Sequence, residues 1–224
     1  DLNKKVIEYA IAGKDLLVNL KVDAFCDLLS TDAPAPGGGS VAALCSALSG
    51  ALSAMVANLT IGKKGYEKVT QEAMKLAPSG QDIKQKSLEI MDKDTDAFFA
   101  LMEAMRLPKK TEAEINFRKA QIEKCTQEAI NAPLTTMRLA VSAADLALKI
   151  AKIGNTNALS DAGVAALTAF CASQSAYYNI LINISGITDE NFKQKTLAEA
   201  KELWEQCKKI TDSVEKDVLE KLFG

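Results

Sequence analysis

Histidine is absent from all 224 residues. This removes at once the commonest general base and the commonest metal ligand. Ser-His-Asp, Cys-His and HExxH chemistry are excluded with it. Catalysis in this chain has to run on carboxylates, lysine, tyrosine, cysteine, backbone dipoles or bound water. Cysteine is sparse and odd in number. Cys26, Cys45, Cys125, Cys171 and Cys207 lie far apart with no CxxC pair, so they read as reduced thiols packed as small hydrophobes, and no metal site is expected. Positive charge is not in surplus either: 27 Lys and Arg face 29 Asp and Glu. A chain without a basic excess has little with which to neutralise phosphates, so no nucleic-acid partner is expected. Proline occurs only five times and marks joints between elements.

Two stretches lack charge altogether, residues 33–62 and 162–188. Each is long enough to span a bilayer. Yet the first contains Ser40, Ser46, Ser49, Ser53 and Asn58, and the second Ser173, Gln174, Asn179 and Asn183. Helices uncharged on every side are more simply core helices, or interface helices of an oligomer. Residues 1–5 are charged and polar, unlike a signal peptide. No membrane association and a cytoplasmic location are therefore expected. The chain opens on Asp1 and not Met, which is compatible with a piece of a longer protein.

Periods of three and four recur throughout, and no strand-like alternation persists. The pattern predicts a short helix near residues 4–9, a second at 22–30, and a loop over Ala33-Pro34-Ala35-Pro36-Gly37-Gly38-Gly39, where glycine permits positive φ. Ser40 is the expected N-cap of a small-residue helix running to Leu59. A weaker helix follows around 66–75, interrupted at Pro78-Ser79-Gly80, and a long amphipathic helix spans 81–106. Thr111 and Glu114 form a capping box for the next helix, kinked or restarted at Pro133. Ser160 is the expected cap of a helix over 161–184, and a charged helix covers 190–222. No composition break divides the chain. The expectation is one all-α domain over residues 1–224, an up-and-down helical bundle.

Three places could carry chemistry. Pro36-Gly37-Gly38-Gly39-Ser40 leads into a helix whose first amides and dipole form a natural anion site, although a tight turn between crowded helices explains the glycines equally well. In Asp92-Lys93-Asp94-Thr95-Asp96-Ala97-Phe98, helical geometry turns Asp96 to solvent and puts Asp94 at the edge of the apolar stripe. There partial desolvation would raise its pKa, unless it is simply a boundary carboxylate paired with a cation. Asn155, Asn157, Ser160, Asp161, Asn179 and Asn183 surround or enter an uncharged helix, where they either satisfy loop backbones or line a polar pocket.

These segments, with Met55–Thr60 and Leu107-Pro108-Lys109, occur in one order that resembles the cyclodeaminase/cyclohydrolase family of folate enzymes over essentially the whole chain. The resemblance implies a homodimeric helical bundle with a folate derivative, polyglutamylated or not, in a cleft near the subunit interface. It implies no metal and no cofactor beyond tetrahydrofolate as the carrier of the reacting carbon. It assigns the catalytic carboxylate to the second Asp of the D-x-D-x-x-A-F run, Asp94, and substrate binding to Pro36, Gly37, Gly38, Gly39, Ser40, Asn155, Asp161, Asn183 and Lys63. Lys63, Lys64 and Arg118 are candidates for gripping the glutamate tail. Within the family the Val6–Tyr9 leader and the Leu107-Pro108-Lys109 loop favour cyclodeaminase over cyclohydrolase, with a glutamate formiminotransferase as a partner. A non-enzymatic oligomerisation module remains the contrasting expectation.

Overall fold

The computed structural model describes residues 16–223. Among them there is no β-strand, and six α-helices account for most of the described residues. They are α1 (Val22–Leu29), α2 (Gly38–Asn58), α3 (Thr70–Arg106), α4 (Glu112–Ile153), α5 (Leu159–Ile184) and α6 (Glu190–Phe223), with short 3-10 turns at Leu17–Asn19 and Thr156–Ala158. The all-α, up-and-down expectation holds. The helix expected near residues 4–9 lies outside the described residues.

Direction is fixed by contacts at successive levels. Gly39 faces Asp94, the Ser46 and Ser87 hydroxyls hydrogen-bond at 2.8 Å, and Gly50 faces Gly80, so α2 and α3 run antiparallel. Ser49 donates to the Ala165 carbonyl at 2.7 Å, and Gly38 faces Asn179, so α5 is antiparallel to α2 as well. Two ends result. One holds the start of α2, the end of α5 and the Asp94 level of α3. The opposite end holds Leu59, Lys63, Asn155 and the start of α5. Beyond Asp94, α3 and α4 project as a helical hairpin closed by Thr111, whose side chain and Glu114 form the expected capping box.

The core is built from small residues. α5 buries Ala162, Ala165, Ala166, Ala169, Ala172 and Ala176 almost completely, which lets α2, α4 and α6 approach it on three sides. Larger side chains fill the ends: Ile130, Met137 and Ile180 near the start of α2, Val56, Ile150 and Val214 towards its finish. Tyr177 stacks on Trp204, whose indole N–H donates to Gln174 at 2.6 Å. α2 is long and apolar enough to cross a bilayer, and most of that stretch is buried inside the bundle.

Three local expectations are corrected. α3 is continuous through Pro78, while at Pro133, where a kink or a restart was expected, α4 runs on to Ile153 without a restart. An interior proline removes one backbone bond at a cost of about 3 kcal/mol. Around Pro78 the packing of Ala73, Ala77 and Ile83 and the contact of Gly80 with Gly50 hold the helix together regardless. Ser40 is not the N-cap of α2; Gly37 is, and no side chain caps it. α5 likewise starts at Leu159, ahead of Ser160, with Ala158 at its cap.

Candidate active site

The loop before α2 delivers its glycines into the space between α3 and α5. Ala35–Pro36 is a cis peptide, Pro36 and Gly39 are buried, and none of Gly37, Gly38 and Gly39 has a positive φ. Their use is therefore steric. A Cβ on Gly39 would overlap both carboxylate oxygens of Asp94, and one on Gly38 would lie 3.3 Å from the Asn179 amide nitrogen. Only a bare backbone lets α3 and α5 bring their polar side chains this close to the start of α2.

Asp94 is half-buried at this junction. Burial pushes its carboxyl above the ordinary carboxylate range, and the Ser40 hydroxyl, which donates to Oδ2 at 3.3 Å, partly offsets the push. Among the described residues no cation pairs with it, which favours the desolvated acid over the ion-paired boundary carboxylate. The cleft in front of it has a volume of ≈ 200 Å³. Gly37, Gly38 and Gly39 form one wall, Asp94, Thr95, Phe98 and Leu101 of α3 a second, and Asn179 and Asn183 of α5 a third. Pro34, Ala35 and Ala129 complete it. Asn179 donates to the Ser175 carbonyl at 2.8 Å, whereas the Asn183 amide makes no hydrogen bond among the described residues. With α2 uncapped, its first-turn amides and the positive end of its dipole also open towards this space.

The neighbouring aspartates have other surroundings. Asp92 Oδ1 accepts the Leu17 N–H at 2.7 Å, so it pins the segment entering α1; burial raises its carboxyl as well, against the opposing pull of the Leu17 and Val18 amides. Asp96 is exposed. The helical-wheel reading of all three is thus reproduced in space.

The structure gathers Gly37, Gly38, Gly39, Ser40, Asp94 and Asn183 at one site, with Pro36 buried beside it. It does not bring Asn155, Asp161 and Lys63 there within one chain. They belong to the opposite end, a separation of roughly 30 Å set by the twenty residues of α2 between Gly39 and Leu59. Asn155 is spent on structure: its backbone N–H donates to Thr60 Oγ1 at 2.8 Å, its amide to the Leu59 carbonyl at 3.3 Å, and its Oδ1 accepts from Asn157 at 3.0 Å. Arg118 ties off the end of α3 by donating to the Met105 carbonyl at 2.9 Å and 3.2 Å. Thr95, Phe98, Leu101, Ala129, Ala35 and Pro34 were not among the expected site residues, whereas Asn179 was one of the polar residues expected either to satisfy a loop backbone or to line a pocket, and it lines the cleft. One-turn spacing from Asp94 and Asn183 points to Phe98 and Asn179; nothing in the sequence points to Ala129.

Known proteins resemble the chain over most of its length. The described site sits within residues 21–202, which match a sequence profile of the formiminotransferase-cyclodeaminase family. The chain is 35% identical to the methenyltetrahydrofolate cyclohydrolase of Methylorubrum extorquens over 204 residues, covering 91% of this chain and 98% of that protein. It is 30% identical to the formimidoyltransferase-cyclodeaminase of Rattus norvegicus over 211 residues, 93% of this chain but 39% of the rat protein. The solved structure of formiminotetrahydrofolate cyclodeaminase from Thermotoga maritima superposes with a TM-score of 0.82 at 31% identity, covering 91% of this chain and 98% of that one. A profile match of that extent, and a relative matched from end to end, place the chain in the formiminotransferase-cyclodeaminase family.

Proposed function

We propose that this chain rearranges a one-carbon group carried by tetrahydrofolate, closing 5-formiminotetrahydrofolate to 5,10-methenyltetrahydrofolate with release of ammonia. The observation that carries the proposal is Asp94: a half-buried carboxyl with no cation beside it among the described residues, its pKa raised by burial, in a cleft lined by amides and a ring. N10 of the folate attacks the carbon of the formimino group, protonated on its nitrogen, and gives a tetrahedral centre. Asp94 takes the proton from N10 and hands it to the departing nitrogen, which leaves as ammonia while the methenyl cation remains. One carboxyl of raised pKa can serve as both base and acid, and the route calls for no metal and no cofactor other than the folate.

A second reading is cyclohydrolysis, in which water adds to the methenyl bridge and the ring opens to 10-formyltetrahydrofolate. The end-to-end likeness to the Methylorubrum protein supports it. Supplying 5-formimino- and 5,10-methenyltetrahydrofolate separately, and following the methenyl chromophore, distinguishes the two. Turnover of neither would overturn the proposal.

We also propose a homodimer. Leu48 and Met55 on α2, Leu59 at its C-cap, and Val164, Leu167, Tyr178 and Ile182 on α5 are exposed, and these two helices carry almost no charge to solvate them. The cleft of one protomer, ≈ 200 Å³, also falls short of the about 300–1,000 Å³ usual for ligands of this class. A second copy against the apolar faces would cover them and extend the site. Covered this way, α2 and α5 are core and interface helices of a soluble cytoplasmic enzyme. In the rat and chicken relatives the match occupies about two-fifths of a longer chain, so a formimino-transferring partner is proposed as the source of substrate.

A further inference from the structure

Phe98 stands one helical turn beyond Asp94, on the same face of α3, and lines the same cleft. It is 36% exposed, and its only ring contact among the described residues is an edge contact with Phe99 at 6.2 Å between centroids. Phe, Tyr and Trp make up only 5% of the chain, and among the described residues no other aromatic side chain lines the cleft. Across from it are the Asn179 and Asn183 amides, the latter without a partner among the described residues. A flat apolar surface on one wall and side-chain amides on the other, of which Asn183 keeps its hydrogen-bonding capacity unused among the described residues, suit a planar ring whose edge carries hydrogen-bonding atoms.

Resting on the function proposed above, we propose that Phe98 is a positioning residue: its ring packs flat against one of the two planar rings of tetrahydrofolate, the pyrimidinone of the reduced pterin or the p-aminobenzoyl group, and so holds the reacting carbon within reach of Asp94. The two rings flank the carbon that reacts, so either places it one turn from Phe98. An aliphatic side chain of similar bulk would fill the space without the stacking geometry, and the substrate would be held less firmly.

The test compares Phe98→Leu and Phe98→Met with Phe98→Tyr. The leucine and methionine variants should raise KM for the turned-over folate by roughly tenfold, lower kcat by a smaller factor, and melt as the wild type does. Phe98→Tyr, which keeps the ring, should restore KM. Inhibition by p-aminobenzoylglutamate and by a 6-methylpterin identifies the ring, because only the fragment that stacks on Phe98 should lose affinity in Phe98→Leu. Phe117→Leu, which removes an exposed ring away from the cleft, serves as the control. Wild-type KM in Phe98→Leu and Phe98→Met, or failure of Phe98→Tyr to restore a raised KM, overturns the assignment while leaving Asp94 chemistry intact. Absence of any folate turnover in the wild type overturns both.

Discussion

The carboxylate of Asp94 lies directly against the Cα of Gly39, so close that a single methyl group at Gly39 would occupy the space of both its oxygens. The two residues are 55 apart in sequence, on antiparallel helices, and neither could hold its place if the other were larger. Gly39→Ala should therefore displace Asp94 and cost on the order of 10²-fold in kcat, the usual consequence of ångström-scale misplacement. Gly37→Ala, where an added Cβ meets nothing within 4 Å, should leave kcat nearly unchanged. Equal effects of the two in steady-state kinetics would contradict the steric account.

Asp94→Asn should lower kcat by roughly 10²–10⁴-fold, the range supplied by general acid–base catalysis, with a much smaller change in folate affinity. Asp96→Asn should be silent. The same Asp94 variant should also be more stable. Because burial raises the Asp94 pKa in the folded state, this group favours folding most below the ordinary carboxyl pKa, and that advantage is lost as pH rises through the raised native value. At neutral pH Asn removes the unfavourable buried charge, and Tm rises by about 2–4 °C per kcal/mol recovered. Below about pH 4 the two proteins should melt alike. Calorimetry across pH checks the sign.

Ser40→Ala removes the hydroxyl that stabilises the Asp94 carboxylate. The Asp94 inflection in the pH profile of kcat/KM should move upward relative to wild type, and it should vanish in Asp94→Asn. A downward shift would mean that Ser40 acts on the protonated form.

Asp92→Ala should behave as a structural change. It leaves the Leu17 N–H without its acceptor and should cost about 1 kcal/mol in denaturant unfolding, with kcat per folded molecule retained. Loss of turnover without loss of stability would move the catalytic role two residues along α3.

The exposed apolar faces of α2 and α5 predict that Leu167→Glu or Tyr178→Glu dissociates the dimer. Light scattering should find a 24.0 kDa species in either variant and twice that mass in the unaltered protein.

Helix identity and the Asp94 environment were legible because both depend on local periodicity: apolar positions three and four apart set which face of 81–106 meets the core. What was not legible is tertiary. Pro78 reads as a break, yet α3 passes through it because Gly80 lets the backbone of α2 approach. Ser40 reads as a cap, yet the helix starts at Gly38 and the hydroxyl turns to Asp94. Asn155, Asp161 and Lys63 sit near the same kinds of small polar residues as Asn183, and only the alternation of helix direction shows that they stand at the other end. Ala129 enters the cleft merely by being small where α4 passes.

The crossing of α2 and α3 is as tight as backbones allow: a Cβ on Gly80 would lie 2.5 Å from the Gly50 carbonyl oxygen and one on Gly50 2.7 Å from that of Gly80. Gly80 and Asp94 ride on the same unbroken rod, about 21 Å apart. The crossing is thus a fulcrum and the carboxylate is the working end of a lever. A tilt of about 3° at the fulcrum carries Asp94 by about 1 Å across that length, which is enough to open or close its seat on Gly39. Gly80→Ala, far from any substrate, should therefore act twice, weakening the fold by about 1–3 kcal/mol and detuning catalysis in the molecules that remain folded. Selection on turnover then has reason to watch a glycine pair that no substrate touches.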